Sequence, residues 1–279
     1  MIHFWKMHGL GNDYVVIDNR DEKINGKHAV ELAKRLCERH FSVGADGLLL
    51  ISSSKVADAK MQIFNADGSE AEMCGNGIRC FAKYCYEKGV TNKAEATVET
   101  LSGIKHVRLT VKDNEVKAVK VDMGKPNWER SSLPMAGQGT FIDGNLEVEG
   151  ATFKATCLSM GNPHCVIFVD AVDDFPVSRI GPEIENYKAF PKRTNVEFVQ
   201  ILSRDQLKIR VWERGCGETL ACGTGTCASV AAAHKLGKVA EKVAVHVLGG
   251  YLKVEVARGK LFLSGAAVKV FEGTLFEEV

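Results

Sequence analysis

Two segments of the chain repeat one motif, a cysteine followed by Gly-x-Gly where a helix is expected to begin. Residues 74–77 read Cys-Gly-Asn-Gly, and residues 222–225 read Cys-Gly-Thr-Gly. An apolar strand pattern ending at Asn65 precedes the first copy, and a similar pattern ending at Glu213 precedes the second. The repeat predicts a chain built from two similar halves that arose by duplication.

A second echo supports the duplication and leads to a fold class. Gly-Asn stands before an apolar run at residues 11–12 and again at 161–162. The helix predicted at 225–236 has small or apolar residues on every side, so it should be buried all round. The helix predicted at 77–89 begins in the same way. We therefore expect an α+β fold with two pseudo-symmetric domains, each a curved, mostly antiparallel sheet or barrel wrapped around a central helix.

Hydrophobic periodicity gives the remaining elements and the domain bounds. The last predicted strand, residues 268–276, has no partner left in the second half and is expected to return to the first. The first domain is therefore predicted at 1–122 plus 268–279 and the second at 123–267, with the crossing near 124–137. Further helices are predicted near 29–39 and 181–189, and strands near 14–18, 47–52, 60–65, 96–100, 104–111, 115–122, 165–169, 196–202, 208–213, 243–247, 251–257 and 260–264.

Charge and composition narrow the class of partner. The 36 basic and 35 acidic residues give a formal net charge of +1, with no basic block typical of a nucleic-acid groove or a membrane surface. No apolar run reaches membrane-spanning length, and residues 1–6 lack the core of a signal peptide. We expect a cytoplasmic protein with a small-molecule partner.

Nine cysteines without any Cys-x-x-Cys pair indicate free thiols and disfavour structural zinc or any other metal site. Most are interpreted as small packing residues. Cys165 and Cys216 stay undecided and lean towards a structural role. Cys74 and Cys222 are different, because packing does not explain the same motif arising twice at equivalent places. The cysteines interpreted as packing residues are Cys37, Cys80, Cys85, Cys157 and Cys227.

Two equivalent thiols are what an enzyme needs to attack one carbon from both faces. A helix N-terminus lowers the pKa of a nearby thiol, which applies to Cys74 and Cys222. One thiolate would remove a proton while the other thiol delivers one, and the pair would share a single proton. The glycines and the free N–H groups of each first helical turn would hold a substrate carboxylate.

The motifs together resemble those of the diaminopimelate epimerases, a family of amino-acid epimerases and racemases that work without pyridoxal phosphate. The resemblance extends over the whole chain. It rests on residues 11–14 (Gly-Asn-Asp-Tyr), 64–69 (Phe-Asn-Ala-Asp-Gly-Ser), 73–77, 161–164 (Gly-Asn-Pro-His), 213–215 (Glu-Arg-Gly) and 221–225.

The resemblance implies an isomerase without cofactor, a homodimer, that interconverts LL- and meso-2,6-diaminopimelate for lysine and peptidoglycan precursor synthesis. Cys74 and Cys222 match the two catalytic bases, and His164 and Glu213 match positions that tune them. One departure is visible, because Gly47 stands where some members carry a glutamine contact. The positions that match substrate contacts are Asn12, Asn65, Gly75, Asn76, Asn162, Asn195, Glu213, Arg214, Gly223 and Thr224.

The two copies of the repeat differ at the end of the strand before the motif, where the first has Asn65-Ala66 and the second has Glu213-Arg214. We expect this difference to select the substrate. Arginine suits bidentate capture of a carboxylate, and diaminopimelate carries a second one. A proline or hydroxyproline racemase with paired cysteines is the nearest competing hypothesis, although a substrate with one carboxylate needs no such residue. Two more distant hypotheses are an isomerase of this architecture with a single acid, and a thiol-rich redox or metal-binding protein without turnover.

Overall fold

The computed structural model describes residues 1–276 and divides into two compact units. Unit 1 consists of Met1–Val121 and Ser264–Val279, and unit 2 of Asp122–Leu263. Residues 277–279 of the predicted first domain lie outside the described residues. That 1–122 with 268–279, and 123–267, fold as separate domains stays a prediction.

Unit 1 consists mainly of strands, with one helix after the second strand and another after the fifth. Its elements are β1 (Ile2–Gly9), β2 (Asn12–Asp18), α1 (Gly26–Cys37), β3 (Gly47–Ser52), β4 (Ala59–Asn65), β5 (Glu70–Ala71), α2 (Gly75–Glu87), β6 (Glu95–Thr100), β7 (Gly103–Lys112) and β8 (Glu115–Gly124), whose last residues belong to unit 2.

Unit 2 repeats this alternation after a short 3-10 turn at Arg130–Ser132, and the last strand then belongs to unit 1. The elements are β9 (Phe141–Val148), β10 (Ala151–Ser159), β11 (Pro163–Phe168), α3 (Val177–Glu185), β12 (Asn195–Ser203), β13 (Gln206–Glu213), β14 (Gly217–Thr219), α4 (Gly223–Lys235), β15 (Lys242–Val247), β16 (Gly250–Ala257), β17 (Lys260–Gly265) and β18 (Val268–Leu275).

The two units pair their strands in the same order and with the same directions. In unit 1, β1–β2 and β3–β4 are antiparallel, β2–β3 and β4–β6 are parallel, and β6–β7 is antiparallel. In unit 2, β10–β11 and β12–β13 are antiparallel, β11–β12 and β13–β15 are parallel, and β15–β16 is antiparallel. The predicted duplication and its mostly antiparallel sheets are confirmed.

Each unit encloses one helix. Helix α2 contacts β1, β2, β3, β4 and β7, and α4 contacts β10, β11, β12, β13 and β16. Five strands of one sheet can contact a single helix only if the sheet curves around that helix. Nearly every residue of both helices is buried, as the sequence predicts for 225–236. Among residues 1–276, no helix has the length and apolar content to cross a membrane.

A second helix covers the opposite face of each sheet, so the central strands are buried on both sides. Leu48 and Leu50 of β3 belong to the core that α1 covers, whereas Leu49 lies near the start of α2. In unit 2, Val196 and Phe198 of β12 pack in the core with α3. The residue between them points the other way, towards α4. Residue 197 is a glutamate, which is unusual in a strand without solvent on either face.

Strand β18 pairs antiparallel with β1 from Ile2 opposite Leu275 to His8 opposite Val268, which confirms the predicted return of the last strand. The sequence did not predict strands β1, β5, β9, β10 and β14, and it predicted α3 four residues too far along the chain. Pro176 stands before the first residue of α3 and Asn186 ends it, so the helix occupies the earlier register.

The covered face of unit 1 gives a stability prediction. Leu32 of α1 is 1% exposed and belongs to the core with Leu36, Leu48 and Leu50. Leu32→Ala should lower the free energy of unfolding by about 2–5 kcal/mol, because it leaves a cavity in a packed core. Leu101→Ala, at a residue that is 58% exposed, is the control and should change it by less than about 0.5 kcal/mol. Urea unfolding of both variants tests this, and equal effects would contradict the assigned core.

Candidate active site

Cys74 immediately precedes α2 and lies against a buried tyrosine. Its backbone is extended, and its Sγ accepts a weak hydrogen bond from the N–H of Gly77 at 3.5 Å. The hydroxyl of Tyr14 lies 2.9 Å from the same sulfur. Burial raises the pKa of Tyr14 well above its usual value, and the adjacent Cys74 adds to this rise. The phenol therefore stays protonated. Its hydroxyl donates to Asn12 Oδ1 at 2.5 Å, so one proton serves two neighbours, Asn12 Oδ1 and Cys74 Sγ.

Asn12 and Asn76 surround Cys74 within unit 1. The Oδ1 atom of Asn12 lies 3.6 Å from Cys74 Sγ and accepts from Asn76 Nδ2 at 3.4 Å, while Asn12 Nδ2 donates to Asp46 at 2.7 Å. Arg79 is completely buried and donates to Asn76 Oδ1 at 2.9 Å and to the carbonyl of Gly75 at 2.8 Å. These contacts fix the residues that begin α2.

Asn65 lies apart from this cluster, as the last residue of β4. It is exposed, and its Nδ2 donates to Ser69 Oγ at 2.9 Å. The structure therefore leaves this side chain at the surface of unit 1, where a ligand can reach it.

Cys222 occupies the matching position before α4, but it is more deeply buried than Cys74. The residue is 5% exposed, and its Sγ lies 3.5 Å from the hydroxyl of Thr224. Burial raises the pKa of Cys222 well above its usual value, and the nearby Glu213 carboxylate raises it further. The prediction that the helix start lowers this pKa is wrong for Cys222, because loss of solvent outweighs the dipole of the helix.

A continuous series of hydrogen bonds leads from Thr224 to a buried carboxyl group. Asn162 Nδ2 donates to Thr224 Oγ1 at 3.3 Å, and Asn162 Oδ1 lies 2.9 Å from His164 Nε2. His164 Nδ1 lies 2.7 Å from Oε1 of Glu197. Both His164 and Glu197 are fully buried, and burial raises the pKa of Glu197. This series joins Asn162, His164 and Thr224, three of the predicted site residues.

The remaining predicted residues of unit 2 lie around the end of β13. Asn195 donates to the carbonyl of Pro163 at 2.8 Å and accepts from the N–H of Arg214 at 2.9 Å, so both ends of its amide are engaged. Glu213 accepts from Thr219 Oγ1 at 2.6 Å. The guanidinium of Arg214 is exposed and donates to the carbonyl of Lys192 at 3.3 Å.

Gly47 has no room for a side chain. A Cβ atom there would lie 2.7 Å from the carbonyl oxygen of Phe64 and 3.3 Å from the ring of Tyr14. The carbonyl belongs to the backbone of the paired strand β4 and cannot move aside cheaply. The glutamine contact that the resemblance implies for this position therefore has no place in this packing, in which the Tyr14 ring lies close to the backbone of β3.

The equivalent strand registers match the two clusters residue by residue. Tyr14 pairs with Gly47 across β2 and β3, just as His164 pairs with Asn195 across β11 and β12. Tyr14 is thus the counterpart of His164. Leu49 lies two residues after Gly47 in β3, and Glu197 lies two residues after Asn195 in β12, so these two residues are counterparts as well. The duplicated scaffold carries different polar groups behind its two cysteines.

Sequence reasoning missed Tyr14 and Glu197. Tyr14 stands inside a motif quoted for the family resemblance, and alignment of the two repeats through Gly-Asn would have set it against His164. Glu197 had one available signal, a lone carboxylate inside the apolar run of residues 196–199.

A family model described as diaminopimelate epimerase matches residues 4–129 and 156–270 of this chain. A diaminopimelate epimerase of Moorella thermoacetica is 51% identical over 275 residues, which is 98% of each chain. The chain belongs to the diaminopimelate epimerase family. A diaminopimelate epimerase of Methanococcus maripaludis is 46% identical over 275 residues, covering 98% of this chain and 99% of the relative. Membership makes the chain an isomerase of amino-acid biosynthesis.

Solved structures share the fold at low sequence identity. A phenazine biosynthesis protein of the PhzF family from Bacillus anthracis superposes with a TM-score of 0.72 at 18% identity, over 99% of each chain. A hydroxyproline epimerase from Agrobacterium vitis gives 0.71 at 14% identity, over 98% of this chain and 90% of that one. Both support the two-domain architecture of the diaminopimelate epimerase family.

The close packing at Gly47 can be tested directly. Gly47→Ala should lower the free energy of unfolding by about 1–3 kcal/mol, because its methyl group would press against the Phe64 carbonyl and the Tyr14 ring. Gly26→Ala is the control, since a Cβ at that first residue of α1 meets nothing within 4 Å. Urea unfolding of the two variants compares them. A Gly47→Ala protein as stable as the wild type would refute the close packing.

Proposed function

We propose that this protein interconverts LL- and meso-diaminopimelate without a cofactor, with Cys74 and Cys222 as the acid and the base. One thiolate accepts the α-proton, and the thiol of the other cysteine gives its proton to the opposite face of the same carbon. After one turnover the two sulfurs have exchanged protonation states. The observation that carries this proposal is that a cysteine stands at the equivalent position in both units, immediately before the enclosed helix.

The environment of Cys222 supports an assignment within this pair. Burial and the Glu213 carboxylate both favour the neutral thiol, and the raised pKa of Cys222 keeps it protonated at neutral pH. Cys222 therefore acts as the acid in the free protein, and Cys74 is the base in that state. The hydroxyl of Tyr14, which donates to Asn12 Oδ1 at 2.5 Å, also lies 2.9 Å from Cys74 Sγ, so its one proton can turn to a thiolate there.

Backbone groups at the two helix starts suit the carboxylate next to the reacting carbon. The first hydrogen bonds inside the helices run from Ile78 N to the Cys74 carbonyl and from Thr226 N to the Cys222 carbonyl. The N–H groups that precede them are not part of the helical ladder. We assign to them the carboxylate and the negative charge that develops as the α-proton leaves. The N–H groups given this role belong to Gly75, Asn76, Gly223 and Thr224, because the next one in unit 1, that of Gly77, bonds to Cys74 Sγ.

The remaining polar residues are proposed to hold the rest of the substrate. Arg214 is exposed and can reach the distal carboxylate, while Glu213 offers a carboxylate to the distal amine. The amides of Asn12, Asn65, Asn162 and Asn195 complete this set. The family resemblance and the position of each residue at a strand end support these assignments.

A homodimer and a cytoplasmic location belong to the same proposal. The family resemblance supports the dimer. Nine free cysteines among the described residues suit a reducing compartment.

The decisive experiment follows deuterium entry at the α-carbon of LL-diaminopimelate in deuterated water, with reduced protein and no added cofactor. The wild type should exchange and epimerise. Cys74→Ser and Cys222→Ser should each lower the rate of inversion by at least about 100-fold, because each removes an acid–base group. Cys216→Ser, at an exposed cysteine, is the matched control and should stay active. Loss at only one of the two cysteines would replace the two-base mechanism with a one-base mechanism, and an inactive wild type would refute the function.

The role of Arg214 predicts a separation of binding from chemistry. Arg214→Lys keeps the charge but loses the planar pair of donors, so KM for diaminopimelate should rise about tenfold while kcat changes less than about threefold. Lys192→Arg is a suitable control, since only the backbone carbonyl of Lys192 contacts Arg214. Steady-state kinetics measure both values. An unchanged KM would exclude Arg214 from substrate binding.

A further inference from the structure

Glu197 is a buried carboxyl group for which the two-cysteine mechanism has no use. It lies in the middle of β12 with 0% exposure, and its Oε2 atom has no hydrogen-bond partner among the described residues. A Cβ at Gly225 would lie 2.7 Å from its Oε1 atom. The second glycine of the Cys-Gly-x-Gly motif thus makes room for this carboxyl group at the start of α4.

The hydrogen bonds that lead from Glu197 to Cys222 can carry their protons in only a few ways. When Asn162 Nδ2 donates to Thr224 Oγ1, the single hydroxyl proton of Thr224 is free to point at Cys222 Sγ. Asn162 Oδ1 then faces His164 Nε2 and can only accept, so this ring nitrogen must carry a hydrogen. The other ring nitrogen of a neutral His164, Nδ1, then needs a donor, and Glu197 is the group beside it.

The opposite arrangement has the opposite effect at the cysteine. An ionised Glu197 accepts from Nδ1–H of a neutral His164, and Nε2 then accepts from the amide of Asn162. Asn162 Oδ1 must in turn accept the hydroxyl proton of Thr224, which is lost to Cys222. An imidazolium beside an ionised Glu197 would also keep a hydrogen on Nε2. The direction of the Thr224 hydroxyl therefore depends on whether Glu197 and His164 together hold two protons or one.

Three features favour the neutral carboxyl group over the carboxylate. Complete burial disfavours the carboxylate, and the unpartnered Oε2 would be far more costly as part of an anion than as a carbonyl oxygen. Glu213 faces the same region with a second negative charge and acts in the same direction. A neutral Glu197 can donate its proton to His164 Nδ1 over the observed 2.7 Å.

Unit 1 shows what the duplicated scaffold does without this group. Leu49 occupies the position of Glu197 and lies near Gly77, the counterpart of Gly225. There, Tyr14 contacts Cys74 Sγ directly at 2.9 Å and needs no intermediate. Leucine therefore fits beneath the helix start of unit 1, which makes it the natural residue to substitute for Glu197.

We propose that Glu197 is a positioning residue which, as a neutral acid, fixes the Nε2–H tautomer of His164 and so turns the Thr224 hydroxyl towards Cys222. The inference rests on the proposed function of Cys222. It adds a residue that contacts neither substrate nor catalytic sulfur, and it gives the two cysteines different means of stabilising a thiolate.

The first test compares Glu197→Gln with Glu197→Leu. Glutamine keeps a neutral donor for His164 Nδ1, so kcat/KM should stay within about threefold of the wild type. Leucine has the size tolerated in unit 1 but no donor, so kcat should fall about 10- to 100-fold with little change in KM. Circular dichroism and thermal melting check that both variants fold. A glutamine variant as impaired as the leucine variant would overturn the neutral-donor role.

A double-mutant cycle separates this role from a structural one. Thr224→Val removes the hydroxyl through which Glu197 is proposed to act. Adding Glu197→Leu to Thr224→Val should therefore cost less than about threefold more, although Glu197→Leu alone costs at least about tenfold. If the two losses multiply, Glu197 does not act through Thr224.

The third measurement does not depend on turnover. The thiolate is the reactive form, so peptide-mapped alkylation of Cys222 by iodoacetamide should slow about tenfold in Glu197→Leu and remain unchanged in Glu197→Gln. Alkylation of the exposed Cys216 serves as the internal control. This result stands even if the wild type fails to epimerise diaminopimelate, so the two proposals fail separately.

The wild type offers a test without changes at residue 197. Nitrogen NMR of labelled histidine, with His164 assigned from the signal absent in His164→Gln, should show a protonated Nε2 and an unprotonated Nδ1. A ring that carries a hydrogen on Nδ1, either as the neutral tautomer or as the imidazolium, would overturn the proposal.

Discussion

The enclosure of one helix by one curved sheet is the constraint on which the rest of each unit depends. A helix buried on every side cannot leave its first N–H groups to solvent, so its start must meet polar partners or a ligand. Both units put a cysteine at that point and let glycines follow it. The proposed carboxylate site thus lies at the first turn of each helix, where the N–H groups are outside the helical ladder.

Duplication fixed the scaffold but not the groups that control each sulfur. Tyr14 and His164 are equivalent by strand register, as are Leu49 and Glu197. Tyr14 contacts Cys74 Sγ directly, whereas His164 and Glu197 are connected to Cys222 only by the hydrogen bonds of Asn162 and Thr224. Burial raises the pKa of Cys222 despite its position at a helix start. An isomerase that works in both directions has no need for two identical thiols, only for two thiols whose proton affinities are balanced when the substrate is bound.

Much of the fold could be predicted from the sequence, because the repeat, the apolar periodicity and the all-apolar helix 225–236 are local signals. Strand β1 was not among them: its partners are β2 and, at the far end of the chain, β18, and no local pattern reveals such a pairing. The members of the site came from the family resemblance, whereas the dryness of Cys222 and the orientation of Asn195 depend on tertiary packing. Glu197 went unnoticed because a carboxylate inside a buried strand contradicts the pattern that identifies the strand.

The pairing of β1 with β18 has a consequence for how unit 1 reaches its final form. Strand β1 is made before β18, and its second hydrogen-bonded edge stays open until β18 has been synthesised, more than 250 residues later. During that interval the buried run Phe4–Met7 flanks an unpaired strand edge, a feature that invites association between chains. The sheet of unit 1 can therefore be completed only late in synthesis, when β18 pairs with the open edge of β1.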